Sequence, residues 1–90
     1  MDELILTLSP TAPTQRLSTV KNGSIIEEKL LPLDVEKFVA AIGFLSTKYN
    51  INSVKVIGNE AFVTKFVTEL TRALSSSKYS TNSITITYLR

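Results

Sequence analysis

The sequence lacks three residue types that carry much of protein chemistry, because it contains no histidine, no cysteine and no tryptophan. The absence of cysteine excludes disulfides, thiolate zinc sites and cysteine nucleophiles. The absence of histidine removes the usual activator of a serine nucleophile. No apolar run is long enough to span a membrane, and the acidic start at Asp2 and Glu3 is unlike the basic start of a secretory signal. We therefore expect a soluble, unprocessed protein of the cytoplasm.

What is present is the composition of a folded domain. Hydrophobic residues make up 43% of the chain and charged residues 20%, which is normal for a globular protein. Ninety residues build one hydrophobic core, so we expect a single domain over residues 1–90. The net charge of +2, from ten Lys and Arg against eight Asp and Glu, is spread along the chain without a basic block that would grip phosphates.

Three strands are predicted in the first third of the chain. An almost continuous apolar run over residues 4–8 is typical of a strand in the middle of a sheet that is covered on both faces. Residues 15–20 and 24–31 are the next two strand candidates. Asn22 and Gly23 between them supply the two positive-φ positions of a tight hairpin turn.

Two amphipathic helices follow the hairpin. Asp34 is suited to cap a helix over residues 35–49, in which apolar residues recur every three or four positions, and Asn50 is expected to end it. Asn59 is suited to cap a second helix, whose apolar residues from Phe62 to Leu74 show the clearest helical spacing in the chain.

Two more strands are predicted, over residues 51–57 and 83–89. In the last one, apolar residues alternate with threonines, which is typical of a sheet edge with one face partly open to water. The order is therefore strand, strand, strand, helix, strand, helix, strand. We expect an α/β fold with a single mixed five-stranded sheet, ordered third, second, first, fourth, fifth strand, with right-handed crossovers and both helices packed over it. The alternative is a ferredoxin-like arrangement that leaves out the first strand.

The start of the chain resembles a known superfamily. Residues 5–11 form an apolar strand followed by a small turn with Pro10, and the hairpin comes next. This resembles the opening of the resolvase and actin-like branches of the ribonuclease H-like superfamily, and it implies their βββαβαβ fold. The metal-binding aspartate of the family corresponds to Ser9 here, and its second acid falls in residues 56–59, which hold no carboxylate. The resemblance therefore implies the fold rather than an activity. Because the acidic residues are missing, we expect a degenerate domain that is not an enzyme, with no catalytic residue, metal or cofactor.

Other candidate sites have structural explanations. Glu27 and Glu28 are adjacent in a strand, so their side chains point to opposite faces and do not converge on metal ions. We expect them to be solvated or to protect a sheet edge. Gly58 and Asn59 precede a helix and could offer amides to an anion, but Glu60 would repel it, and a turn with a helix cap explains both residues.

Nucleic-acid binding is the alternative function. It needs basic residues interleaved with exposed aromatic ones. The four phenylalanines lie in predicted helices, and only Phe44 falls off the apolar stripe and is expected to be exposed. Lys55 and Arg72 are two solvent-facing charges and do not form a tract, so contact with nucleic acid would be electrostatic and without base readout.

The remaining prediction is a non-catalytic protein that acts by protein–protein interaction. The last strand has no proline and no inward charge before Arg90, so little prevents it from pairing with another strand. The alternative is that the preceding polar loop or Arg90 is enough to keep this strand unpaired. The predicted partner-binding residues share this strand, and they are Ile84, Ile86, Thr87 and Tyr88.

The expected partner is a protein, either a second copy in a homo-oligomer or a different chain, and neither a membrane nor a cofactor is expected. The small size, the absence of cysteine and the abundance of Asn, Ser and Thr also resemble accessory proteins encoded by phages. That resemblance implies a viral protein in the cytoplasm of the host.

Overall fold

Residues 2–88 are described by the computed structural model. The strands are β1 (Glu3–Thr7), β2 (Gln15–Lys21), β3 (Ser24–Leu31), β4 (Ser53–Ile57) and β5 (Thr85–Tyr88). The α-helices are α1 (Val35–Tyr49) and α2 (Glu60–Ser75), and a short 3-10 turn at Ser80–Asn82 precedes β5. The prediction placed Leu89 in the last strand and Arg90 after it, and both lie outside the described residues.

The strands form one mixed sheet in the order β3-β2-β1-β4-β5. β1 pairs antiparallel with β2 and parallel with β4, and β5 adds parallel to β4. The predicted α/β fold with a mixed five-stranded sheet and two helices is confirmed. The ferredoxin-like alternative is wrong, because β1 lies at the centre of the sheet and pairs on both sides.

Local signals set the ends of several elements as predicted. Asn22 and Gly23 have φ values of 53° and 80°, the two left-handed positions that a tight hairpin turn needs. Asp34 caps α1 by accepting a hydrogen bond from the Glu36 amide at 3.0 Å. α1 ends at Asn50, whose φ of 55° is a left-handed helix stop.

The core lies between the two helices and one face of the sheet. The strand register places five buried apolar strand residues on that face, and they are Leu4, Leu6, Leu17, Val54 and Val56. Ser18 and Val20 of β2 are also buried but lie on the opposite face. They join the buried residues of both helices in a single cluster, in which the rings of Phe38 and Phe66 meet edge to face at 5.5 Å. Neither helix of the described chain has the length and apolarity that a bilayer crossing requires.

The expectation that β1 is covered on both faces is wrong. Leu4 and Leu6 are fully buried beneath the helices, whereas Ile5 between them is half-buried on the opposite face. Ile5 is shielded from the sides by Ser18 of β2 and Lys55 of β4, its partners in the register. An apolar run in a central strand therefore does not require a second layer over the sheet.

Candidate functional site

The turn where the resemblance places a metal-binding aspartate is held by an amide side chain. The Ser9 backbone amide donates to Gln15 Oε1 at 2.6 Å. Gln15 Nε2 donates to the carbonyl oxygens of Ser9 at 3.0 Å and of Ala12 at 3.3 Å. Gln15 is only 2% exposed, and these hydrogen bonds satisfy both polar atoms of its buried side chain while they hold the turn in place. Sequence reasoning missed this residue, because a glutamine at the start of a strand carries no distinctive pattern.

The adjacent glutamates point to opposite faces, as predicted. Glu27 lies on the helix side, where the Tyr49 hydroxyl donates to its Oε2 at 3.0 Å. Glu28 lies on the other side, with Arg16 Nε at 3.9 Å from its Oε2. Across residues 2–88 no three acidic or other ligand side chains come together as a metal site.

The Gly58-Asn59 segment makes a close turn from β4 into α2. A Cβ atom at position 58 would lie 2.8 Å from the Leu8 carbonyl oxygen, so the turn needs a glycine for close approach. Asn59 caps α2 through its side-chain oxygen, which accepts from the Phe62 amide at 3.4 Å. Both residues therefore have structural roles.

β5 forms one edge of the sheet, and its register determines which backbone groups face outward. The Thr85 amide donates to the Asn52 carbonyl at 2.8 Å, on the β4 side. In a parallel ladder, alternate residues direct both their N–H and C=O to the same neighbour. The N–H and C=O of Thr87 therefore also point toward β4, and those of Ile86 point away from the sheet.

The predicted partner-binding residues divide into two groups. Ile84, Ile86 and Tyr88 are half-buried and pack against the core, so their side chains attach β5 to the domain. The Thr87 side chain is exposed on the opposite face. We call the outer side of β5, with the outward N–H and C=O of Ile86, the β5 edge. It presents main-chain groups rather than an apolar patch.

The sheet face turned away from the helices is covered by no other element within residues 2–88. We call it the open face. The register assigns to it Glu3, Ile5 and Thr7 of β1, Arg16, Ser18 and Val20 of β2, Ile25, Glu28 and Leu30 of β3, Ser53, Lys55 and Ile57 of β4, and Thr85 and Thr87 of β5.

Large apolar side chains are exposed on the open face. Leu30 is 63% exposed, Ile25 57% and Ile57 36%. Leu30 and Ile57 stand at opposite ends of one row across the sheet and Ile25 lies at the other end of β3, so these exposed apolar side chains are spread among polar and charged ones. Sequence reasoning missed this surface, because the register shift opposite Thr19 and Val20 leaves Ile26 unpaired and breaks the alternation of β3.

The charges of the open face are balanced. Each basic side chain on the face or at its margin lies near an acid: Arg16 near Glu28 at 3.9 Å, Lys55 near Glu3 at 3.4 Å and Lys21 near Asp2 at 3.4 Å. The Asn22 amide donates to Asp2 at 3.0 Å, and together with Lys21 it lowers the pKa of that carboxyl below its ordinary value. This face therefore presents no unbalanced positive stripe to a phosphate backbone.

The prediction that Phe44 is exposed is confirmed. Its side chain is 53% exposed on α1, and Lys48 Nζ lies 5.8 Å from the ring centroid and 5.1 Å from that of Tyr49. One lysine beside two rings is a cation–π contact of the helix itself.

Comparison with protein-family models and with curated proteins finds no match for this chain. Function is therefore inferred from the two surfaces described above, the β5 edge and the open face.

Proposed function

We propose that the protein is a non-catalytic binding module that pairs an extended segment of a protein partner with the β5 edge. The observation that carries the proposal is the β4–β5 register, which directs the N–H and C=O of Ile86 away from the sheet. A partner strand that adds to such an edge gains main-chain hydrogen bonds, and pockets beside it select side chains.

The contrast between the two sheet edges supports this choice. β3 at the other edge carries Glu27, Glu28 and Lys29 in its centre and a bulge at Ile26, features that discourage pairing with a further strand. Between Thr85 and Tyr88, β5 has no charge, no proline and no register shift. Of the two edges, β5 is the one open to strand addition.

We further propose that the domain is a degenerate member of the ribonuclease H-like superfamily. The central parallel pairing of β1 with β4 and the strand order support this assignment. The turn at Ser9, where the superfamily has its first acid, is closed by Gln15 in this chain. The composition is also compatible with an accessory protein of a phage, acting in the host cytoplasm.

The test of edge binding uses two substitutions at one position. Ile86→Pro removes the outward N–H, whereas Ile86→Ala truncates a similar amount of packed side chain and keeps the N–H. Immobilised wild type and Ile86→Ala should capture the same protein from a lysate of the cells that express the chain, and Ile86→Pro should lose it. Equal capture by the proline variant would refute edge binding.

Amide hydrogen exchange gives a second readout on the captured complex. The Ile86 amide should exchange rapidly in the free protein and slowly once a partner strand covers it. Nuclease, phosphatase and nucleotide-hydrolysis assays with magnesium or manganese should show no turnover, and turnover lost on changing Ser9 or Asn59 would contradict the non-catalytic assignment. A gel shift on DNA that falls steeply with salt would favour the nucleic-acid-binding alternative.

A further inference from the structure

The open face has a charge pattern that is complementary to itself. In the strand register Glu28, Ser18, Ile5 and Lys55 form one row across β3, β2, β1 and β4. The acid and the lysine stand at the two ends of the row, three strand spacings or about 14 Å apart. A two-fold axis parallel to the strands and midway between β1 and β2 exchanges the two ends. Glu28 of each copy then faces Lys55 of the other.

The neighbouring row repeats this relation with apolar residues. Leu30 of β3 and Ile57 of β4 stand at its ends, with Arg16 and Thr7 between them. The same axis brings Leu30 of each copy against Ile57 of the other. Two of the three exposed large apolar side chains of the open face are thereby covered, and neither of them is buried within its own chain.

We propose that two copies of this chain form a homodimer by packing their open faces about this axis. Sheets that pack face to face lie about 10 Å apart with strands inclined by about 30°. At the ends of the Glu28 row that inclination displaces facing positions by only about 4 Å, a distance that lysine and glutamate side chains span.

Charge favours this axis over a two-fold axis that runs across the strands. A two-fold axis across the strands, through the same row, would place Glu28 against Glu28 and Lys55 against Lys55. Like charges brought together in a desolvated interface are strongly unfavourable. The axis parallel to the strands instead extends the pairs that Glu28 makes with Arg16, and Lys55 with Glu3, into a network across the dimer.

The size of the surface predicts a weak dimer. Four strands of about five residues present a footprint of about 19 by 17 Å. Two such surfaces bury on the order of 1,000 Å² of accessible area in total, which is at the low end for specific interfaces. Dimerisation should therefore depend on concentration and weaken as salt rises.

The β5 edge lies outside this footprint. The axis carries β3 onto β4 and β2 onto β1, and it places β5 beyond the β3 edge of the other copy. The homodimer therefore does not depend on the proposed binding of a partner strand, and it leaves both β5 edges accessible.

The test is sedimentation equilibrium at low salt with charge-reversal variants. Lys55→Glu and Glu28→Lys should each weaken dimerisation roughly tenfold or more, and a 1:1 mixture of the two should associate as tightly as wild type. Lys65→Glu and Glu69→Lys, on the exposed surface of α2, make the same charge changes away from the open face and should leave dimerisation unchanged.

A monomeric wild type at millimolar concentration would overturn the proposal. It would also be overturned if both reversals left the dimer intact, or if Ile86→Pro abolished it while Ile86→Ala did not. If either reversal fails to fold by circular dichroism, Leu30→Asn decides, because Leu30 is mostly exposed and its change spares the core. Unchanged dimerisation of Leu30→Asn then refutes the interface, and weakened dimerisation supports it.

Discussion

Replacing Gln15 with methionine tests whether the buried amide holds the β1–β2 turn. Methionine has nearly the same length and shape but cannot make the three hydrogen bonds that Gln15 makes to Ser9 and Ala12. Ala12 is exposed, so water replaces the bond to its carbonyl, whereas Ser9 is half-buried. The two bonds to Ser9 are therefore those whose loss matters.

The expected loss is about 2 kcal/mol of unfolding free energy, since each net hydrogen bond contributes about 1 kcal/mol. A domain of this length has roughly 5–13 kcal/mol in total, so the loss is a large fraction. It corresponds to a fall of roughly 10 °C in the melting temperature. Urea unfolding followed by circular dichroism measures it, and the slope of free energy against urea should not change.

Gln15→Glu is the companion variant. When ionised, its carboxylate accepts from the Ser9 amide but faces two carbonyl oxygens without a proton to donate. Burial raises the folded-state pKa of such a carboxyl, so this variant should gain stability relative to Gln15→Met as pH falls. A loss below about 0.5 kcal/mol for Gln15→Met, within the range of ordinary surface changes, would refute the role of the amide.

Two further predictions concern stability. The fully buried Thr19 hydroxyl has no hydrogen-bond partner among the described residues. Thr19→Val should therefore raise the unfolding free energy, measured by urea unfolding, by about 1–2 kcal/mol, and Thr19→Ser should lower it. A valine variant less stable than wild type would contradict the assignment. Asp2→Asn should be less stable than wild type at neutral pH. The difference in stability should shrink as pH falls below about 4, and it should vanish below the lowered pKa of Asp2. A difference in stability that does not change with pH would exclude the ionic contribution.

The elements were predictable where their signals are local. The hairpin turn is fixed by Asn22 and Gly23, and the two ends of α1 by Asp34 and Asn50. Each acts through side-chain or backbone preferences that extend over only a few residues. The predicted start of the fourth strand at residue 51 was less accurate, because β4 begins at Ser53. Ile51 is buried, but its amide donates to the Ser46 carbonyl at 3.1 Å, so it closes α1 instead of opening the strand.

Long-range contacts were beyond prediction from the sequence. The Tyr79 ring packs so closely on Gly43 of α1 that a Cβ atom there would overlap it. A glycine within a helix and a tyrosine in a distant polar loop carry no mutual signal in the sequence. The open face was hidden for a similar reason, because its apolar residues come from β1, β2, β3 and β4 and only the register brings them together.

The proposed homodimer restricts what the β5 edge binds. An open-face dimer has one two-fold axis, and pairing of β5 with β5 of another copy would add a second. The first axis runs parallel to the strands between β1 and β2, whereas the second would stand perpendicular to the sheet beyond β5. Because these two axes do not intersect, repeating both contacts generates an open-ended assembly rather than a closed one. The β5 edge should therefore receive a strand from a different protein. Light scattering that levels off at twice the monomer mass agrees with this reasoning, and continued growth that Ile86→Pro abolishes would contradict it.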